Sequence, residues 1–158
     1  MKSVLISIRP QWCEKITSGK KTIEVRKTAP KEVPFKAYIY CSYGNMKTNY
    51  YLNDRGKVIG EFVCDKVFLL RPYLYDEGNA DLGHCKFIQT FEGPSNVIKI
   101  LSATCLSQNE MFDYIGEGNY GYGWHISKLK IYDKPLSLSE LGVNRPPQSY
   151  MFVEEVGQ

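Results

Sequence analysis

Ser18-Gly19-Lys20-Lys21-Thr22-Ile23-Glu24-Val25-Arg26-Lys27 is the stretch on which the fold turns. A glycine suited to closing a helix runs straight into strict alternation. Ile23 and Val25 fall on one face of a strand, and Thr22, Glu24 and Arg26 on the other. If the apolar face is buried, the second face presents a carboxylate and a guanidinium about 6–7 Å apart along the strand. Lys21 stands at the entry of that strand, beside the end of the preceding helix. An acid held between two cations is a common way to build a polar recognition or reaction site, and equally a common way to decorate a surface strand.

Working outward, Lys2–Ile8 alternates as a strand would, Pro10 suits the first turn of a helix over Gln11–Ser18, and Gly19 is placed as its left-handed stop. Beyond the motif, Pro30 and Pro34 hold a loop extended, and Ala37–Ser42 reads as a strand. Asn53-Asp54-Arg55-Gly56 has the composition of a tight turn. Lys57–Leu70 reads as one long strand bending at Gly60, followed by an irregular segment over 72–96. Val97–Cys105 is expected as a strand, and Ser107–Ile115 as a helix with Ser107 and Glu110 forming a capping box. In Tyr122–Tyr132 the apolar phase shifts between Ile126 and Leu129, so one extra residue is expected near Ser127–Lys128. A short helix around Ser137–Leu141, stopped by Gly142, and a last strand over Tyr150–Val156 complete the chain. Strands and short helices without a βαβ rhythm describe an α+β or β-barrel domain. The length of 158 residues fits one domain spanning 1–158.

Composition narrows the function classes. The chain is 43% hydrophobic and 13% aromatic, enough for an ordinary core. No apolar run approaches the roughly 20 residues that span a bilayer. Arg9 and Pro10 interrupt the apolar start, so it reads as the first strand of a cytoplasmic protein with no membrane partner. Five cysteines, at 13, 41, 64, 85 and 105, contain no Cys-x-x-Cys pair, which points to buried free thiols rather than a zinc site or a disulfide framework. Gly83-His84-Cys85 is the one place where His and Cys adjoin, and no metal or cofactor is expected. Neither a Gly-x-Ser-x-Gly elbow nor a phosphate-binding Walker loop is present. Net charge is +3, but residues 1–60 carry 12 Lys/Arg against 4 Asp/Glu, whereas 61–158 carry 8 against 13. That asymmetry suggests a basic face for a phosphate-bearing partner.

The run Ser-Ile-Arg-Pro-Gln-Trp-Cys-Glu-Lys-Ile-Thr-Ser-Gly-Lys-Lys-Thr-Ile-Glu-Val-Arg (7–26) resembles the opening of ASCH domains of the PUA-like superfamily: a short helix ending in Gly, then Lys-Thr-hydrophobic-Glu-hydrophobic-Arg. Gly-Trp-His-Ile-Ser-Lys-Leu-Lys-Ile-Tyr (123–132) and Arg-Pro-Pro-Gln-Ser-Tyr-Met-Phe-Val (145–153) resemble the closing part of small stand-alone members of phage or prophage type. The resemblance implies an α+β, PUA-like mixed β-barrel with two or three short helices. It also implies a role with RNA or a modified nucleoside.

Two uses of the site are open. For binding, Arg9, Lys15, Lys21 and Arg26 gather at one mouth of the barrel, and Trp12, Tyr43 and Trp124 supply stacking faces in a cleft lined by the 21–26 strand. Thr22 shares the polar face, and Glu24 reads a base edge or orients the cations. His125 is a further pocket candidate, directed away from Trp124. For catalysis, some ASCH proteins resemble a bacterial amidohydrolase that deacetylates N4-acetylcytidine, in which a lysine opens the motif strand and a threonine nucleophile stands two residues before the arginine. Lys21 matches that lysine, but Glu24 stands in the threonine position, and a carboxylate nucleophile would have to pass through a mixed anhydride. A hydrolase, ribonuclease or amidohydrolase, would use Lys21 as activating base and Glu24 as acid or base. A third possibility is a phage accessory protein whose basic face engages a host protein.

Overall fold

Strands covered on both faces dominate the fold: residues 23–26 are all buried, as are most of 2–8 and 35–41, and two sheets collect them. The computed structural model describes residues 1–44, 54–75, 85–90 and 97–155. In chain order the elements are β1 (Lys2–Ile8), α1 (Pro10–Thr17), β2 (Ile23–Arg26), β3 (Phe35–Cys41), β4 (Lys57–Cys64), β5 (Val67–Tyr75), β6 (Cys85–Thr90), α2 (Val97–Thr104), α3 (Gln108–Ile115), β7 (Gly121–His125), β8 (Ser127–Leu136), a 3₁₀ helix (Leu138–Leu141) and β9 (Tyr150–Val153). They divide into two compact units, the first made of 1–22, 30–66 and 126–158, the second of 23–29 and 67–125.

The first unit is built on a five-stranded sheet of order β8-β4-β3-β1-β9, in which β1 and β3 are parallel and the other pairs antiparallel. Leu5, Tyr38, Tyr40 and Val58 pack with Leu141, the last residue of the 3₁₀ helix, and with Val143, just past its left-handed stop at Gly142 (φ 68°). Helix α1 buries Pro10, Cys13 and Ile16. The outer strands are β8 and β9. The second unit has a four-stranded antiparallel sheet, β2-β7-β5-β6. Ile23 and Val25 of β2, Leu70 and Ile88 form its core with Ile100 of α2 and Met111, Phe112 and Ile115 of α3. Positive charge follows the same division: 15 Lys/Arg against 9 Asp/Glu in the first unit, 5 against 8 in the second.

The α+β class stands as expected, and the strands form two sheets, with no closed hydrogen-bonded ring among the described residues. The single strand expected over 57–70 is instead β4 and β5, broken at the exposed pair Asp65-Lys66. Gly60 does mark an irregularity: the β4–β8 register shifts between Val58 and Gly60, and a Cβ there would meet Lys130 O at 2.5 Å. The strand expected over 97–105 is a helix. Its β-branched residues favour a strand locally, but Ile100 and Thr104, one turn apart, are buried as a helical stripe, and packing overrides propensity. The irregular segment 72–96 contains the end of β5 and all of β6, paired from Leu70↔Thr90 to Tyr75↔Cys85. Pro72 has the local signature of a strand breaker. It is tolerated because this part of β5 pairs with β6 alone, and its carbonyl accepts from Gly118 N at 3.0 Å. Residues 76–84 and 91–96, His84 among them, lie outside the described residues.

Tyr122–Tyr132 is likewise two strands, β7 and β8, in different sheets. The extra residue falls where the phase shift put it. Glu61 pairs with Lys130 and Val63 with Ser127, three residues of β8 against two of β4, and Lys128 takes a left-handed φ of 48°. Helix α3 carries half of the expected capping box, Ser107 Oγ accepting from Glu110 N at 3.1 Å, while both halves of such a box form at Ser137 and Glu140 of the 3₁₀ helix.

Candidate ligand-binding segment

Helix α1 ends at Gly19, whose φ of 76° turns the chain back on the helix. Gly19 N donates to Ile16 O at 3.0 Å and Lys21 N to Lys15 O at 2.9 Å. The reversal seats Lys21 against the helix, its Nζ 5.1 Å from the centre of the Trp12 ring. Lys21 is only 2% exposed, and Trp12 and Lys15 are half-buried. A desolvated ammonium over an indole face is worth about 2 kcal/mol. These residues belong to the first unit.

In the second unit, β2 puts Ile23 and Val25 into the core and turns Glu24 and Arg26 to the opposite sheet face. Arg26 Nη2 lies 3.1 Å from Glu24 Oε1, and the two residues are 8% and 5% exposed. They are buried, where the sequence reading displayed them to solvent. Glu24 pairs across with Trp124 and Arg26 with Tyr122, so all four side chains share one face of the sheet. Trp124 is fully buried and donates its indole N–H to Thr28 O at 3.3 Å. The stacking faces that remain reachable among the expected aromatics are those of Trp12 and Tyr43.

The other expected residues scatter. Arg9 is exposed at the N-cap of α1, and Thr22 is exposed with its carbonyl accepting from Ile126 N at 2.8 Å. Tyr43 is 59% exposed, with its hydroxyl over Gly56, and the adjoining Gly44 lies against the Pro10 ring. His125 pairs with Ile23 on the helix-facing side of the sheet, away from Trp124 as read, and meets Phe68 edge-on at 6.4 Å. The structure thus joins Glu24 with Arg26 and Lys21 with Trp12.

Arg71 was missed. It sits two residues beyond Leu69, which pairs with Tyr122, and so shares the face of Glu24 and Arg26; its guanidinium lies 5.4 Å from the Tyr120 ring. The alternation Leu69, Arg71, Tyr73 could have shown it, had Pro72 not suggested a loop. Among the described residues no cluster of three or more His, Cys, Asp or Glu could hold a metal, and no helix is long and apolar enough to cross a membrane.

The fold is that of ASCH structures. The chain superposes on the crystal structure of ASCH from Zymomonas mobilis with a TM-score of 0.65 at 18% identity, covering 98% of this chain and 89% of that one. A tyrosine-to-phenylalanine variant of the same protein gives 0.61 at 18%, covering 98% and 92%, and a serine-to-alanine variant 0.65 at 17%, covering 98% and 89%. No family model and no curated protein matches the sequence. At this identity the likeness is one of fold.

Proposed function

We propose that the chain is an ASCH domain, acting in the cytoplasm, that binds RNA or a modified nucleoside through Lys21 of the first unit and Glu24 and Arg26 of the second. The observation that carries this reading is the Glu24–Arg26 pair at 3.1 Å, buried on a strand whose other side is already core. Burying two charges costs about as much as their attraction returns, so such a pair is a poor way to stabilise a sheet. It is a good way to hold a guanidinium and a carboxylate in fixed orientation for a ligand. Arg26 can donate to a phosphate or carbonyl oxygen, and Glu24 can accept from an exocyclic amine. Lys21 adds a third charge, Trp12 a stacking face, and the cationic excess of the first unit draws polyanions from a distance.

The test is a titration of labelled single-stranded RNA over a salt series. Binding should weaken steeply with salt, and Lys21→Ala should reduce the slope by about one unit. A Lys21→Ala/Arg26→Ala variant that keeps its circular dichroism spectrum and its parental affinity overturns the reading. Turnover of RNA or acetylcytidine that disappears in folded Lys21→Ala replaces it with a hydrolase.

A further inference from the structure

Cys13 and Cys41 stand 28 positions apart in sequence and meet in the first unit. The parallel β1–β3 ladder sets Cys41 beside Ile8. Helix α1 begins two residues later, and its first turn brings Cys13 back over the same point, with Sγ 3.5 Å from Ile8 O. Cys41 Sγ lies 3.9 Å from Ser42 O with the Cys13 side chain beside it, and both residues are fully buried. Cys64 lies at the other end of β4 and directs its thiol to Lys66 O at 3.3 Å.

The surroundings distinguish the two sulfurs. Gly56 N donates to Cys41 O at 2.7 Å, which fixes the 54–56 turn against the end of β3. Arg55 on that turn is 8% exposed. The Cys13 side chain holds the Cys41 thiol below its ordinary range; burial and Asp54 oppose this, and Arg55 assists it. The S–H of Cys13 points to Ile8 O and leaves its sulfur beside Cys41, so a thiolate formed at Cys41 stands next to its resolving partner.

We propose that Cys13 and Cys41 are an oxidative modification site, converted by a peroxide to a disulfide that ties α1 to β3. The Cys41 thiolate attacks one peroxide oxygen, the O–O bond breaks, and the sulfenic acid forms with release of hydroxide. The Cys13 sulfur then attacks the sulfenic sulfur, the S–O bond breaks, and that hydroxyl leaves as water with the Cys13 proton. The hydroxide collects the proton first lost by Cys41, so two thiols and one hydrogen peroxide give one disulfide and two waters. A small oxidant suits a buried pair, reached when the segment opens locally.

The experiment treats the whole chain with hydrogen peroxide and reads intact mass and non-reduced peptide maps. The expected result is a loss of about 2 Da, reversed by dithiothreitol, with a single link between the peptides carrying Cys13 and Cys41. Cys13→Ser should accumulate a dimedone-trappable sulfenic acid at Cys41, whereas Cys41→Ser should lose both link and adduct. Links through Cys64, Cys85 or Cys105, or direct passage of Cys41 to sulfinic acid in the unmutated chain, overturn the proposal. The map of the unmutated chain decides alone if a serine variant fails to fold.

Discussion

At residue scale, Glu24 and Arg26 set the terms. Arg26→Ala leaves a carboxylate in a site from which water is nearly excluded, and about 3–5 kcal/mol of stability should be lost in urea denaturation. Glu24→Leu/Arg26→Met removes both charges together, and its unfolding free energy should equal or exceed the parent's while RNA affinity falls. A double variant as damaged as Arg26→Ala would show that the pair matters chiefly for stability. The acid–base spacing was plain in the sequence; the burial was not. Period-two alternation identifies one apolar face and is silent on whether the opposite one is also covered. Trp124 illustrates the same gap, since nothing local distinguishes an exposed indole from one at 0% exposure.

At the scale of elements, the join of β3, β4 and β8 carries a polar network. Tyr132 Oη donates to Glu61 Oε2, Lys36 Nζ lies 3.8 Å from Glu61 and 2.7 Å from Glu155. Burial first, then the Glu61 hydrogen bond, raises the Tyr132 phenol above its usual 10.0, and the Glu155 hydrogen bond raises Lys36 above 10.5. Both groups hold protons more tightly folded than unfolded. Their contribution is therefore complete below the unfolded values and is lost as pH rises through the folded ones. Urea midpoints should fall above about pH 10, and Tyr132→Phe should be weaker at neutrality with a flatter alkaline limb. Gly60→Ala drives a Cβ to 2.5 Å from Lys130 O, and about 1–3 kcal/mol should be lost in the same assay. Capping residues were the most legible features at this scale, because Ser107, Gly19 and Gly142 act on their own neighbours. Helix α2 was not, because its apolar run fits either period until α2 is packed.

At the scale of the whole molecule, the chain passes between its two units four times, so neither is a continuous segment. Trp12 lies in the first unit and Trp124 in the second, which makes Trp12→Phe and Trp124→Phe single-tryptophan reporters of each. Because β2 and β7 each run by a peptide bond into the first unit, the two reporters should give coincident unfolding midpoints; separated midpoints would show independent units. The α+β class and the ASCH fold were legible from residues 7–26, a contiguous motif. The division of strands between sheets was half legible: Gly19 and Pro30 mark the crossings around β2, but those at Asp65-Lys66 and Ile126 carry neither glycine nor proline. The five-stranded sheet also ends in margins with different defences. β8 bears exposed Lys128, Lys130 and Lys134, a bulge and the amide-less Pro135, while β9 offers only four residues. Another molecule trying to extend the sheet would meet like-charge repulsion along one border and too brief a template along the other, which guards the chain against fibre growth even though Phe152 stands 58% exposed.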